Sequence, residues 1–173
     1  MQLIEIEKST YRKNLNIVIV IFVASLFILS LSVSSLFIAL WGDSLLVDGK
    51  STNFSYNLSG VIFAVLVSCG VLYRLKNHFF FTEIYYVWQL KQINNLIYRK
   101  IKKIKAAATN DDINALIILN FYHQSRKQVY LLDDNIITLS SLEQEINRLD
   151  EQLHNKNLTV TIEQFDKTLL SDF

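Results

Sequence analysis

Proline is absent from these 173 residues, and glycine occurs only at Gly42, Gly49, Gly60 and Gly70. From Val71 onward the chain therefore contains neither strong breaker, which favours long helices over a turn-rich β fold. Cys69 is the only cysteine. That excludes an intrachain disulfide framework and a cysteine-based zinc site. Set in an apolar run, Cys69 is expected to be a buried small hydrophobe. A phosphate-cradling glycine loop is excluded after Gly70, and no HExxH, CxxC or GxSxG pattern occurs. The histidines are only three, His78, His123 and His154, and lie far apart in sequence. Tyr122, His123 and Arg126 on one helix, with Asp133 and Asp134 nearby, form the one grouping worth weighing as a site. Scattered polar residues on an amphipathic helix are the better reading, because no nucleophile, base and orienting partner come together. The expectation is a protein that is not an enzyme and uses no cofactor and no metal.

Net charge is scarce too. The formal value of +1 gives the whole chain no strong electrostatic preference for a partner. What the chain has in quantity is hydrophobic residues, and they pile up in the first 75 positions while most charge follows Arg74. That asymmetry argues for a membrane part and an aqueous part. Leu15 to Trp41 carries no charge over 27 positions. About 20 apolar residues, rising ~1.5 Å each, cross a hydrocarbon core of about 30 Å, so the run is long enough to span with some tilt. A secretory signal is the rival, since Lys8, Arg12 and Lys13 precede the run. Its apolar region is normally about 7–15 residues long and ends at small residues, whereas this one is far longer and ends Leu40-Trp41-Gly42. The second run is Leu58 to Tyr73, or Phe54 to Leu75 with flanks of mixed polarity. It is short enough for a buried soluble helix, but a neighbouring first span favours a second.

Lysine and arginine near the span ends run basic, poor, basic. Lys8, Arg12 and Lys13 come before the first span, Lys50 beside Asp43 and Asp48 between the spans, and Arg74, Lys76 and Lys91 after the second. Both termini are thus expected in the cytoplasm, with Trp41, Phe54 and Tyr56 at the outer interface and Tyr73 at the inner one. The domain reading is a cytoplasmic tail 1–14 and a transmembrane hairpin 15–75. Its spans are about 15–41 and 54–75, and an outer loop 42–57 overlaps the start of the second. A cytoplasmic helical region 76–155 and a mobile tail 156–173 follow.

Helices in lipid associate through small, close-fitting residues. Ser25, Ile28, Ser32, Ser35 and Ala39 recur at spacings of 3, 4, 3 and 4, a coiled-coil-like seam. Gly60, Ala64 and Ser68 repeat every fourth residue on the second span. These seven small residues are expected to pack the spans on each other or to join copies into a homo-oligomer. A pore lining made by Ser25, Ser30, Ser32, Ser34 and Ser35 is the rival. Packing is preferred, because serine hydroxyls bond back to helix carbonyls and neither span holds the internal charge that usually marks a transport path.

After Arg74 the stretch Lys76-Asn77-His78-Phe79-Phe80-Phe81 reads as interfacial. Thr82 then caps a new helix, or else the second span simply continues. Val87, Leu90, Ile93, Ile97, Ile101, Ile104 and Ala108 give an amphipathic helix over Thr82 to Ala108. Asn110-Asp111-Asp112 supplies a cap and first-turn acids for a second helix, about Asp111 to Leu132, with a face of Ile113, Leu116, Ile117, Phe121, Val129 and Leu132. Asp133-Asp134-Asn135 is a break. Ser140 and Glu143 have capping-box spacing for a third helix to about His154, edged by Ile146, Leu149 and Leu153. The fold class is therefore an all-α membrane protein, with a two-helix transmembrane hairpin followed by a cytoplasmic amphipathic helical hairpin or small bundle.

Charge is sorted along this region. Residues 74–105 hold eight Lys or Arg against one acid, net +7, and residues 106–173 hold five against eleven, net −6. The sharpest feature is the basic patch Arg99, Lys100, Lys102, Lys103 and Lys105. It suits packing against the acidic later helices, anionic lipid headgroups or nucleic acid. Near-cancellation of the two blocks favours the first, then lipid, with nucleic acid least favoured.

The stretches YYVWQLKQ at Tyr85 to Gln92, IYRK at Ile97 to Lys100 and LDDN at Leu132 to Asn135, with the opening MQLIEIEKSTYRKNLN, carry a likeness. The chain resembles a bacterial inner-membrane family, the domain-of-unknown-function family three-zero-eight-seven, over roughly residues 1–150. The resemblance implies a bacterial inner membrane and no activity, cofactor or catalytic residue. Three functions follow as expectations. First is a membrane-anchored, non-catalytic interaction or scaffold protein that self-associates through its spans and docks an unknown protein partner. A small channel or transporter subunit comes second, and a membrane-surface regulator acting through the basic helix third.

Overall fold

A computed structural model describes residues 2–42 and 53–173, and among them no strand occurs. Among the described residues are five α-helices: α1 (Lys8–Trp41), α2 (Phe54–Leu75), α3 (Thr82–Ala108), α4 (Ile113–Leu132) and α5 (Ile136–Asn155). Short 3-10 helices cover Phe79–Phe81, Ile162–Gln164 and Lys167–Asp172. Contacts divide the chain into two units, one of residues 13–82 and one built from 1–12 together with 83–173. The outer-loop residues Asp43, Asp48 and Lys50 lie outside the described residues.

In the unit 13–82, α1 and α2 are long and apolar enough to cross a membrane. Few of their residues are buried, and those that are define the line of contact: Gly60, Ala64 and Ser68 on α2, and Ser34 on α1. Cys69, expected to be buried, is exposed. Ser68 takes the contact position, and the next residue along a helix turns about 100° away from it. The second span does not run on into α3. The helix ends at Leu75, and after a turn the His78 imidazole accepts the backbone N–H of Phe80 to start the Phe79–Phe81 helix. Thr82 is not an N-cap either. It already has helical φ and ψ and is the first residue of α3.

In the other unit α4 is the central helix. Leu116, Ile118, Phe121 and Ser125 are fully enclosed, and burial extends well beyond one stripe. Ile113, expected on its buried face, is instead exposed in the first turn. The helix α3 presents Val87, Leu90, Ile97 and Ile104 to this core, and α5 presents Leu142, Ile146, Leu149 and Leu153. Both sets follow the i, i+3/i+4 spacing that lines one helix face.

With no glycine left after Gly70, the helix ends need another route to the left-handed conformation that a Schellman turn demands. Asp111, Asp134 and Asn157 take it, at φ 59°, 57° and 51°. Asp and Asn tolerate this region better than other L-residues. After α3 the Asp112 N–H donates to the Ala107 carbonyl, after α4 Asn135 to Tyr130, and after α5 Leu158 to Leu153. Asp112 then caps α4, its carboxylate accepting the Ala115 N–H at 2.8 Å. The turn at Asp134 is so tight that α5 restarts at Ile136, so Ser140 lies inside the helix rather than at its cap.

The segment 156–173, expected to be mobile because it shows no helical period, carries two 3-10 helices and buries Phe165 and Leu170. Phe165 stacks flat on Phe121 of α4, ring centroids 3.9 Å apart. Two isolated anchors between short turns leave no periodic trace in a sequence.

Candidate functional site

Two places bring together residues singled out by sequence, and the first is the α1–α2 contact. A Cβ built on Gly60 would lie 2.1 Å from the Ser34 hydroxyl, 2.8 Å from the Ser34 nitrogen and 3.0 Å from the Ser30 carbonyl oxygen. Only glycine lets the two backbones approach this closely. The Ser34 hydroxyl donates to the Asn57 carbonyl across the contact at 3.3 Å, and the Ser25 and Ser68 hydroxyls meet at 3.3 Å. Ser25 also donates back to the Phe22 carbonyl, and Ser30 to that of Phe27. These hydroxyls have partners without water. Gly60, Ala64, Ser68 and Ser25 thus share one contact. Ser32, Ser35 and Ala39 point away from α2 and are exposed, as is Ile28, which precedes them in the row. Their place in the contact is held by Ser34, a residue the heptad spacing did not select.

The second place is the basic stretch of α3. Lys105 Nζ donates to Glu145 Oε1 of α5 at 3.2 Å, Lys100 to the Leu170 carbonyl at 2.7 Å and Lys103 to the main-chain oxygen of Phe173 at 2.9 Å. Arg99 and Lys102 are exposed. Three of the five basic residues are thus engaged within their own unit, by the acidic helix and by the segment after it.

Glu145 also gathers residues once weighed as a site. Its Oε2 lies 3.5 Å from His123 Nδ1 and 3.5 Å from Arg126 Nη1. Arg126 donates through Nε and Nη2 to the Tyr130 hydroxyl and sits over the Tyr122 ring. His123 is almost fully enclosed, and burial pulls its pKa down to about 4, the carboxylate of Glu145 opposing and Lys105 and Arg126 adding to the fall. Burial works against the charge of Glu145, but the Lys105 hydrogen bond and the cations around it bring its pKa below the ordinary value. The arrangement is a neutral imidazole beside an ion-paired carboxylate. One polar pair lies deeper. The Ser125 hydroxyl donates to Asn94 Oδ1 at 2.6 Å, joining α3 to α4 inside the core.

Asp133 and Asp134 lie elsewhere, in a clasp on the N-terminal segment. Asp134 pairs with Lys8 and with Arg12, and Asp133 pairs with Lys91 at 2.6 Å. Asp133 also accepts the Tyr11 hydroxyl at 3.2 Å, and burial together with that carboxylate pushes the Tyr11 pKa up to about 12. Nearby, Gln128 donates to the Ile4 carbonyl at 2.5 Å and the Ile4 N–H donates to the Tyr86 hydroxyl at 3.0 Å. The ion pairs are half-exposed and each contributes little alone. The enclosed Tyr11 and the main-chain bonds fix the segment. The sequence showed Lys8 and Arg12 only as basic residues flanking a span. Their partners lie more than 120 positions away, and only chain folding brings them close.

Among the described residues no cluster of His, Cys, Asp or Glu suited to a metal ion occurs. Comparison with known proteins finds one family model, described as "Protein of unknown function (DUF3087)", matching residues 1–170. No curated protein and no solved structure matches.

Proposed function

The chain belongs to this DUF3087 family, and we propose that it is a membrane-anchored, non-catalytic interaction protein of the bacterial inner membrane. The observation that carries the reading is the surface of α1 and α2. In their most apolar 18-residue windows only 6% and 17% of residues are buried. A soluble core helix of that composition would be enclosed. Here Val20, Ile21, Phe27 and Leu66 are each more than 60% exposed. So much exposed apolar surface supports a hydrocarbon surrounding. The partnering of α1 with a second apolar helix also speaks against a cleaved signal.

The clasp supports the topology. Residues 2–12 are bound to α3, α4 and the turn after α4, which supports reading the two segments that flank the hairpin as lying on one side of the membrane. The basic residues at both flanks favour the cytoplasmic side. The outward row Ser32, Ser35 and Ala39 offers a small-residue face for a second copy, while the bundle of α3, α4 and α5 offers the surface for a protein partner. Internally bonded serines weigh against the pore reading. The engaged Lys100, Lys103 and Lys105 weigh against a free basic face for lipid.

Cell fractionation tests the reading, with tags placed at both ends. The expected product needs detergent for release, and both tags are protected from externally added protease in intact spheroplasts. A product soluble without detergent, or tags on opposite sides, overturns it.

A further inference from the structure

Below the Ser25–Ser68 pair the two apolar helices part. From Lys13 to Ala24 on α1, and from Cys69 to Leu75 on α2, no residue is buried. A Cβ on Gly70 would meet nothing within 4 Å, whereas one on Gly60 would strike backbone. The parted ends leave a cleft of about 560 Å³, lined by Ile17 and Ile21, by Val71 and Leu75, and by Phe80 and Phe81. That volume lies within the roughly 300–1,000 Å³ of ordinary ligand sites. Its only polar lining residues are Ser25 and Ser68, which meet each other, and His78.

The mouth is chemically different from the walls. Lys13 sits one helical turn before Ile17 and on the same face, and Arg74 sits three residues after Val71. His78 uses Nδ1 to accept the Phe80 N–H, which leaves Nε2 as the donor of the ring. Lys76 is drawn aside over the face of Tyr73, 3.9 Å from the ring centroid. Lys13 and Arg74 do not line the slot, but helical spacing sets both beside lining positions, and with the His78 N–H they complement a molecule with a long hydrocarbon chain and an anionic head.

We infer that this cleft holds one acyl chain of an anionic phospholipid, whose phosphate is met by Lys13, Arg74 and His78. The inference rests on the membrane reading above and deepens it. The bound lipid fills space that α1 and α2 leave open and ties the Phe79–Phe81 turn to the headgroup layer.

The full chain, purified in mild detergent and stripped of lipid, is titrated with phosphatidylglycerol or with phosphatidylcholine, and adducts are counted by native mass spectrometry. One phosphatidylglycerol per chain is expected, with much weaker retention of phosphatidylcholine. Each cation near a headgroup contributes about 1 kcal/mol, so Lys13→Gln with Arg74→Gln should weaken phosphatidylglycerol binding about 30-fold. Val71→Trp, which fills the slot, should abolish the adduct. Equal retention of the two lipids, or an undiminished adduct in either variant, overturns the inference. A dimer that carries no lipid overturns it as well, by placing a second copy in the cleft. If Val71→Trp fails to fold, the charge variant decides alone. A chain held in the membrane fraction that retains no added lipid sinks this inference and leaves the proposed function standing, whereas a detergent-free soluble chain sinks both.

Discussion

Adding a single methyl group at Gly60 should part α1 from α2. In Gly60→Ala the new carbon meets the Ser34 nitrogen at 2.8 Å and the Ser30 carbonyl oxygen at 3.0 Å, both backbone atoms that cannot rotate away. Relieving those contacts moves the helices apart by roughly half an ångström, given optimal separations of about 3.5 Å. The Ser34 hydroxyl, at 2.1 Å, must also swing off its bond to Asn57. Overpacking of this kind costs about 1–3 kcal/mol, and a polar contact between membrane helices is worth roughly 0.6 kcal/mol. A total near 2 kcal/mol lowers the equilibrium constant for the close contact about 30-fold, which is the upper bound on the slowing it can cause. The assay is disulfide formation in membranes between Ser25→Cys and Ser68→Cys, with Cys69→Ser as background. The parent hydroxyls lie 3.3 Å apart, so sulfurs in their place are within bonding reach. Gly60→Ala should slow the bond by up to about 30-fold. Gly70→Ala should leave it unchanged, because its Cβ meets only open space. Equal rates for parent and Gly60→Ala, or equal slowing by both changes, would refute the close-contact argument.

Four further outcomes are expected. His123 stays neutral in the folded chain down to about pH 4, while in the unfolded chain it takes up a proton near pH 6.5. The His123 contribution to stability should therefore be constant above pH 6.5, fall as pH drops from there to about 4, and level off below, with a loss of about 3 kcal/mol. His123→Gln should flatten that part of a denaturation-versus-pH curve in detergent. Phe165→Ala empties the ring position on Phe121 and should cost about 3–5 kcal/mol in thermal unfolding; a negligible shift would mean the segment 156–173 is not docked in solution. At φ 51°, Asn157→Val should destabilise by about 1–2 kcal/mol while Asn157→Gly is tolerated, and equal melting of the two variants would contradict the Schellman assignment. Bulky Ser32→Leu with Ser35→Leu should abolish chemical crosslinks between copies in membranes, and an unchanged crosslink pattern would remove that row from self-association.

Legibility in the sequence followed the range of each interaction. The body and the end of α3 were readable, because a seven-position apolar row runs from Val87 to Ala108, whereas its start at Thr82 was not, since nothing in the sequence separates it from the second apolar run. The cap of α4 was readable only as lying within Asn110-Asp111-Asp112; the helix expected from about Asp111 starts at Ile113, because Asp111 takes the left-handed turn and Asp112 caps. The start of α5 was not readable. Ile136 and Ile137 are both strongly exposed, so the first turn carries no buried face, and Ser140 with Glu143 mimics a cap inside the helix. On α2 the row Gly60, Ala64 and Ser68 was plain from its own spacing. Which serines of α1 would meet it depends on the register set by Gly60 against Ser34, and α1 alone does not contain that information. Of the polar grouping, Tyr122, His123 and Arg126 do lie together. Their carboxylate is Glu145 from the next helix, not the Asp133 and Asp134 that stand closer in sequence to Arg126.

The clasp of residues 2–12 on the bundle has a consequence for how the chain is made. Its two halves are separated by the whole hairpin, so the opening segment leaves the ribosome long before its partners exist. Some 120 residues divide Arg12 from Asp134, which at roughly 5–20 residues per second is a wait of about 6–24 s. Throughout that interval Tyr11 lacks the enclosure it later finds, and the exposed opening must be kept from other chains. A bulky fusion ahead of Gln2 would prolong the exposure by obstructing the final closure. The same fusion placed after Phe173 would leave assembly of the clasp untouched.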